Sequence, residues 1–575
     1  MSLRVASLLT IGAGALGYYV YDPVGCQHAA IAVLRSYRTA ASVISIVWDY
    51  KSTLSKDKQP EVIGWDAYSD LKSQVHQRSA EKLLALCRLQ GGTYIKLGQH
   101  ISALVFLLPS EYTETMKPLQ DQCPPSSIEE IDAMLKQDLG SSIADLFEEF
   151  DPKPLGVASL AQVHKARLRS NGREVAVKLQ HPSLDEFVNI DIQGVAGIVS
   201  WIKYAFPEFE FDWLATEMKL SLPKELDFKH EMENSVQVAK NFANEPILMI
   251  PEVYWASRRV LIMEFAQGSR IDDLKYMNQH NINPVRVSAA LTRLYSEMIF
   301  MHGFVHCDPH PGNLFVRPKS ATRRTWLSFF ARTPHNPENF EIVLLDHGLY
   351  RTLSREFRLD YAHLWAACIR GDEHAIEEYS YKIFTKYDRH VTERADGDIT
   401  HHRLFASMLT GRTWDVISGS GTGLATVRTR GEVNRIQNNA SSGRFYIALA
   451  EILAKLPREM LLLLKTNDLL RSVDEALGVT GSDQEHMMRM VSVMGWYCAL
   501  TIHINTVAEI LAGRGWAAAS ETDQTPLAHG LTLQSLSMWA DLLKSPRYID
   551  SLASFWAVGF KMLLLDLLVV VPFWH

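Results

Sequence analysis

The chain has 575 residues, 47% of them hydrophobic and 21% charged, with a formal net charge of −7. That is the composition of an ordered protein long enough for two or more folding units, and it lacks the basic excess of a nucleic-acid-binding surface, so no nucleic-acid partner is expected. Six cysteines, at 26, 87, 123, 307, 368 and 498, form no close pairs, which argues against a disulfide framework and against a cysteine-rich zinc module.

At the N-terminus Leu8 to Val20 is apolar, Arg4 is the only charge before Asp22, and Arg35 and Arg38 lie in an acid-free stretch from Pro23 to Trp48. An Arg-bearing, acid-poor start reads as a mitochondrial targeting or membrane-anchor segment over residues 1–50. Val5 to Tyr21 is marginal for spanning, since a bilayer core takes ~20 apolar residues. Gly12-Ala13-Gly14-Ala15-Leu16-Gly17 matches the dinucleotide-binding pattern, but Arg35 and Arg38 stand where a ribose-binding acid is needed, so packing of small residues is the better reading. A helical extension follows over 65–150, with helical stretches over 79–106 broken at Gly91-Gly92, and with Ile128 to Phe150 beyond Pro124-Pro125.

The next region, 151–268, carries strand patterns. Arg173-Glu174-Val175-Ala176-Val177-Lys178 follows the hairpin turn Ser170-Asn171-Gly172, and its alternation suits a strand that holds Lys178 toward a pocket. A lysine at the end of Val-Ala-Val is the residue type that binds the α- and β-phosphates of ATP in kinase folds, held by a helix carboxylate. Glu217, Glu225 and Asp227 are the candidates for that carboxylate. Val260 to Phe265 reads as a buried strand leading into Ala266-Gln267-Gly268, so Met263 and Glu264 fall at an expected adenine-contacting hinge between lobes.

Residues 269–410 hold the chemistry. In His306-Cys307-Asp308-Pro309-His310-Pro311-Gly312-Asn313 a carboxylate precedes an amide by five residues, and Leu344-Leu345-Asp346-His347-Gly348 places a second carboxylate behind a short apolar strand. Pro309, Pro311 and Gly312 make the turn, between flanking strands at Leu314-Phe315-Val316 and Ile342 to Leu345. An Asp-x-x-x-x-Asn match alone means little; preceded by Lys178, a carboxylate segment and a hinge, in that order, it points to a Mg-ATP site. Asp308 would orient or deprotonate the acceptor, and Asn313 with Asp346 would hold Mg²⁺. A zinc reading of His306, Cys307, Asp308 and His310 fails on Pro309 and Pro311, which break the helix that a His pair four apart would need, and it leaves Lys178 and Asp346 unexplained.

These residues resemble the UbiB-like atypical kinases, also called aarF-domain-containing kinases. Pro154 to His164 replaces a Gly-x-Gly-x-x-Gly loop and is similar to that family's alanine-rich nucleotide loop, which places Gly156, Val157, Ala158 and Ser159 at the nucleotide. Lys96-Leu97-Gly98-Gln99 is similar to its Lys-x-Gly-Gln signature, and Glu225-Leu226-Asp227 to its Glu-x-Asp motif. The resemblance implies that the extension packs over the cleft where a protein substrate would lie, with Lys96 and Gln99 near the nucleotide and Lys96 able to pair with a Glu-x-Asp carboxylate. Family loops usually carry three alanines before the serine, where this chain has Gly156-Val157-Ala158. His347 stands where ordinary kinases have Phe, and a helical pattern starts at Glu356 with no Ala-Pro-Glu motif, leaving no platform for a peptide substrate.

Residues 317–340 interrupt the strand pair as an insertion, 411–444 reads as a mobile Gly/Ser/Asn-rich insertion, and 445–575 is mainly helical. Phe555 to His575 is apolar but contains Lys561 and Asp566, which disfavours clean spanning; an interfacial helix and a docked core helix both remain open. The sum is an α+β, atypical protein-kinase-like two-lobed fold with a helical N-terminal extension and a mostly helical C-terminal region. The expected function is an atypical kinase or ATPase using ATP and Mg²⁺, on an acceptor that the residues do not identify. The resemblance implies a mitochondrial membrane, its inner membrane or intermembrane-space face, an anionic lipid or quinone-like lipid as partner, and a role in lipid or ubiquinone homeostasis. The alternative is an ATP-gated lipid-binding or assembly factor without phosphoryl transfer.

Overall fold

A computed structural model describes residues 23–102, 108–120, 125–182, 184–205, 222–319, 338–385, 401–418, 456–479, 484–512 and 545–557, with isolated positions 219, 424, 452 and 542. The apolar run Val5 to Tyr21, the Gly12 to Gly17 pattern, Glu217, most of the 317–340 and 411–444 insertions and the last eighteen positions of the Phe555 to His575 segment lie outside the described residues. The chain divides into two compact units, one of 1–226 with 257–262 and one of 227–256 with 263–575.

In the first unit, helices α1 (Pro23–Thr53), α2 (Trp65–Gln90), α3 (Gly92–Ser102), α4 (Ser110–Met116) and α5 (Ile128–Leu139) precede a sheet. Strands β1 (Phe147–Phe150), β2 (Gly156–Val157), β3 (Ala161–Leu168) and β4 (Glu174–Gln180) follow, then α6 (Leu184–Ala205). β3 pairs antiparallel with β1, β2 and β4, and β4 borders the strand that begins at Val260. The expected helical stretch from Ile128 to Phe150 is thus shorter than its pattern. A Ser127/Glu130 capping box starts α5, left-handed Gly140 (φ 67°) ends it, and Phe147–Phe150 joins the sheet edge instead.

Residues 23–50, expected as part of a targeting segment, lie in α1, whose inner face belongs to this unit's core. Val43 packs with Leu86, Tyr94, Leu97, Met116 and Val195, and Arg35 reaches Asp191 of α6 through two bonds of 2.9 and 2.6 Å. Burial raises the Asp191 carboxyl above its ordinary range even with Arg35 beside it. The outer face of α1 carries Val33, Tyr37, Ile44 and Trp48, between 62% and 74% exposed and spaced to lie on one stripe. Ala30–Thr53 is long and apolar enough to cross a membrane by length and composition. Gly98 has a steric reason: a Cβ there would sit 2.2 Å from Leu119 Cδ1.

The second unit opens on α7 (Phe228–Asn241), capped by the Asp227 carboxylate on the Lys229 amide. Then come β5 (Leu248–Met249), β6 (Val253–Ala256), β7 (Val260–Glu264, whose last two residues belong here), β8 (Ser269–Arg270) and α8 (Pro284–Ser296). Strands β9 (Phe304–His306), β10 (Leu314–Pro318), β11 (Phe340–Leu344) and β12 (Tyr350–Thr352) follow. They build a β5-β11-β10-β8 sheet and a β9-β12 pair. Beyond them lie α9 (Arg355–Arg370), α10 (Glu373–Thr385), α11 (His401–Thr410), α12 (Arg458–Ala476) and α13 (Gln484–Ala512). α13 contains a second stretch, Met490–Ile510, that passes the same membrane-span test; it packs on α8 and α9 and accepts the Arg355 guanidinium on Asn505 Oδ1 at 2.9 Å.

Candidate functional site

The loop after β9 folds back on itself through its own polar groups. The His310 amide donates to the Asp308 carbonyl at 2.7 Å, and the Asn313 amide donates to the His310 carbonyl at 2.8 Å. Asn313 Nδ2 donates to the Asp308 carbonyl at 3.1 Å, and Oδ1 of the same amide is an acceptor oxygen. β10 and β11 pair antiparallel with Leu314 opposite Leu344, and the Leu345 amide donates to the Asn313 carbonyl at 3.0 Å. That register sets Asn313 beside the residue preceding Asp346. One Asp346 oxygen accepts from the Gly348 amide at 2.8 Å. Asn313 Oδ1 and the Asp346 carboxylate are hard oxygen donors, a set that fits Mg²⁺.

The other polar residues of the loop already have protein partners. His306 is fully buried with Nδ1 on the Tyr295 hydroxyl at 2.7 Å, and burial holds its imidazole down to about 4. Cys307 Sγ donates to the Val305 carbonyl, and burial pushes the thiol up to about 12. His310 Nδ1 accepts from the Gly312 amide at 3.1 Å.

His347 is buried and pinned on four sides. Its ring stacks on Tyr350, with Nδ1 at 2.9 Å from the Tyr350 hydroxyl and Nε2 at 3.2 Å from the Leu344 carbonyl. Its carbonyl accepts from Asn234 Nδ2 at 2.8 Å, and its amide donates to Glu231 Oε1 at 3.4 Å. Both Asn234 and Glu231 come from α7. Glu231 was not singled out in the sequence, although its place on the first turn after Asp227 was a usable signal.

A residue with no motif at all completes this half. Lys465 of α12, buried, puts Nζ 3.0 Å from Asp308 Oδ1. The available signal was a lysine directly after the five-residue apolar run Met460 to Leu464, in a helix turn too apolar to leave a charge without a partner.

The first unit gathers the remaining motifs. Lys178 is buried on β4, opposite Val163 of β3. Gly156 and Val157 pair with Val163 and Gln162, and the Ala158 amide donates to the Ala161 carbonyl at 2.8 Å, closing the loop tightly. Ser159 donates its hydroxyl to Gln99 Oε1 at 3.1 Å, while Gln99 Nε2 donates to the Leu119 carbonyl at 3.0 Å. The Lys-x-Gly-Gln helix therefore holds the loop serine directly. Lys96 Nζ lies 2.8 Å from Glu225 Oε2, with side chains 16% and 7% exposed. Glu225, expected beside Lys178, has Lys96 as an ion-pair partner. Asp227 serves as the α7 N-cap, Met263 is buried, and the Glu264 amide donates to the Glu252 carbonyl at 2.8 Å.

The chain is similar to known proteins over most of its length. The ABC1 atypical kinase-like domain matches residues 118–380. AarF domain-containing protein kinase 1 of Xenopus laevis is 41% identical over 484 residues, covering 84% of this chain and 86% of that protein. AarF domain-containing kinase 1 of Drosophila melanogaster is 40% identical over 464 residues, covering 80% of this chain and 81% of its own. Among solved structures, the Rv3197–erythromycin complex from Mycobacterium tuberculosis aligns with a TM-score of 0.37 and 20% identity over 66% of this chain and 94% of that one.

Proposed function

Because the chain belongs to the ABC1, or AarF-domain, family of atypical kinase-like proteins, we propose that it binds Mg-ATP and transfers the γ-phosphoryl group to water or to a small or lipid-like acceptor. The observation that carries this reading is the Asp308 loop, closed on itself by the Asn313 side-chain amide, beside the strand end bearing Asp346. Lys178 contacts the α- and β-phosphates, Asn313 and Asp346 hold the metal, and Asp308 orients the acceptor and receives its proton as the acceptor oxygen bonds to the γ-phosphorus and ADP leaves. The bound Mg²⁺ supplies charge neutralisation at the phosphates. Gly156 to Ser159 is the nucleotide loop, fixed from the extension by Gln99. Lys96 is oriented by Glu225, and Met263 with Glu264 lies at the adenine edge.

The chain runs from Gly348 into β12 and reaches α9 at Arg355, which leaves little segment to seat a peptide. That short connection favours a small or lipid acceptor and is equally compatible with a second reading, an ATP-gated lipid-binding or assembly factor with no transfer. The acid-poor N-terminus and the apolar outer stripe of α1 support placement at a membrane, and the family resemblance points to a mitochondrial one, on the inner membrane or its intermembrane-space face, with a role in lipid or ubiquinone homeostasis. The test is Mg-ATP binding and turnover by the purified chain with anionic vesicles. Turnover lost in Lys178→Ala, Asp346→Asn and Asp308→Asn supports transfer. Nucleotide-dependent function lost in the first two but kept in Asp308→Asn selects the scaffold, and absence of Mg-dependent ATP binding refutes both.

A further inference from the structure

We propose that Lys465 is a positioning residue of the reaction centre, which fixes the Asp308 carboxylate in the orientation it needs toward the acceptor. The inference rests on the transfer reading above and extends the centre to a helix beyond residues 118–380, the stretch matching the family domain. Lys465 Nζ donates to Asp308 Oδ1 at 3.0 Å across 157 positions of sequence, and its side chain is 8% exposed. A lysine so enclosed costs several kcal/mol in lost hydration unless a carboxylate meets it, so α12 and the loop must come together in one register.

The helix is also tied where a positioning device would need it to be. Asn467 Nδ2 donates to the Tyr361 hydroxyl at 3.3 Å, joining α12 to α9, and the Ser288 hydroxyl of α8 donates to Asp474 Oδ1. With the helix held to both neighbours and its side chain 8% exposed, Lys465 cannot follow solvent-driven rotamer changes as a surface lysine does. Asp308 itself stands on a loop, with its backbone carbonyl taken by Asn313 and His310, contacts that do not involve its carboxylate. The charge-assisted bond from Lys465 acts on the carboxylate itself and restrains its rotation.

Steady-state kinetics of the full chain test this. Lys465→Met keeps the aliphatic bulk and removes the charge, and Lys465→Gln keeps a donor. Both are expected to lower kcat roughly 10- to 100-fold, the scale of loss from a small misplacement of a reacting group, with KM for ATP and nucleotide affinity within about twofold of wild type. In an Asp308→Asn background either change should slow turnover no further, because the group it positions is already gone. The proposal is overturned if both variants turn over within about twofold of wild type, if their losses multiply with that of Asp308→Asn, or if both lose the cooperative thermal melt. A wild-type chain that binds Mg-ATP but does not turn it over sinks the transfer reading and this proposal with it; wild-type turnover with insensitive Lys465 variants sinks this proposal alone.

Discussion

Replacing Lys96 by Met isolates the ion pair that joins the Lys-x-Gly-Gln helix to Glu225. The pair is 2.8 Å long and its side chains are 16% and 7% exposed, so deleting the lysine strands a carboxylate in a poorly hydrated place. Breaking a buried pair from one side costs about 3–5 kcal/mol; the residual access of water to Lys96 brings this below the range, to about 2–3 kcal/mol. For a unit of this size each kcal/mol lowers Tm by about 2–4 °C, which gives a drop of about 4–12 °C. Glu225→Gln in the same chain removes the stranded charge, so Lys96→Met/Glu225→Gln should recover at least half of the loss. The assay is a double-mutant cycle by calorimetry, following the transition of the first unit. A Lys96→Met chain melting within about 1 °C of wild type, or a double variant that is the sum of the two singles, would refute the reasoning.

Gly98→Ala should destabilise by about 1–3 kcal/mol in urea melts because its Cβ meets Leu119, whereas Gly156→Ala, with nothing within 4 Å of the new methyl, should stay within about 0.5 kcal/mol. Cys87, Cys307, Cys368 and Cys498 are buried and their thiols are pushed well up by burial, so maleimide at pH 7.5 should leave all four unmodified in the folded chain and label them in urea, read by peptide mass spectrometry. Burial raises the Asp474 carboxyl to about 6, so the folded state holds a proton there that the unfolded state has released. Stability contributed by that proton is complete below the unfolded value near 4 and is lost as pH rises through about 6, on the order of 3 kcal/mol. Asp474→Asn should flatten the fall in urea midpoint between pH 4.5 and 7; an unchanged slope would count against the assignment.

The strands that present Asp308, Asn313 and Asp346 were legible because short apolar runs bounded by Pro and Gly have few other solutions; β10 (Leu314–Pro318) and β11 (Phe340–Leu344) overlap the expected runs but extend into the 317–340 insertion at Arg317, Pro318 and Phe340. Lys178 on its strand was readable from alternation. Local pattern failed where a distant element decides. The stretch ending at Phe150 continues a helix-compatible pattern, yet pairing with β3 takes its last four residues into a strand. The composition of acid-poor residues 23–50 gives no hint that Arg35 meets Asp191, far along the chain. The apolar run before Lys465 calls for a partner, but nothing within its own helix says that a loop 157 positions earlier supplies the carboxylate.

The clamp on His347 bears on pharmacology. Many kinase inhibitors need the residue after the metal-binding aspartate to swing out of its pocket, opening a channel for the drug. Here, swinging the His347 ring out must break its bonds to the Tyr350 hydroxyl and the Leu344 carbonyl, while Asn234 and Glu231 hold the backbone around it. At about 1 kcal/mol net for each ring bond, the swung-out form is disfavoured by about 2 kcal/mol, a population near one in thirty. A compound that traps that form would forfeit about thirtyfold in apparent affinity, so ligands for this protein are better sought among molecules that leave His347 in its pocket.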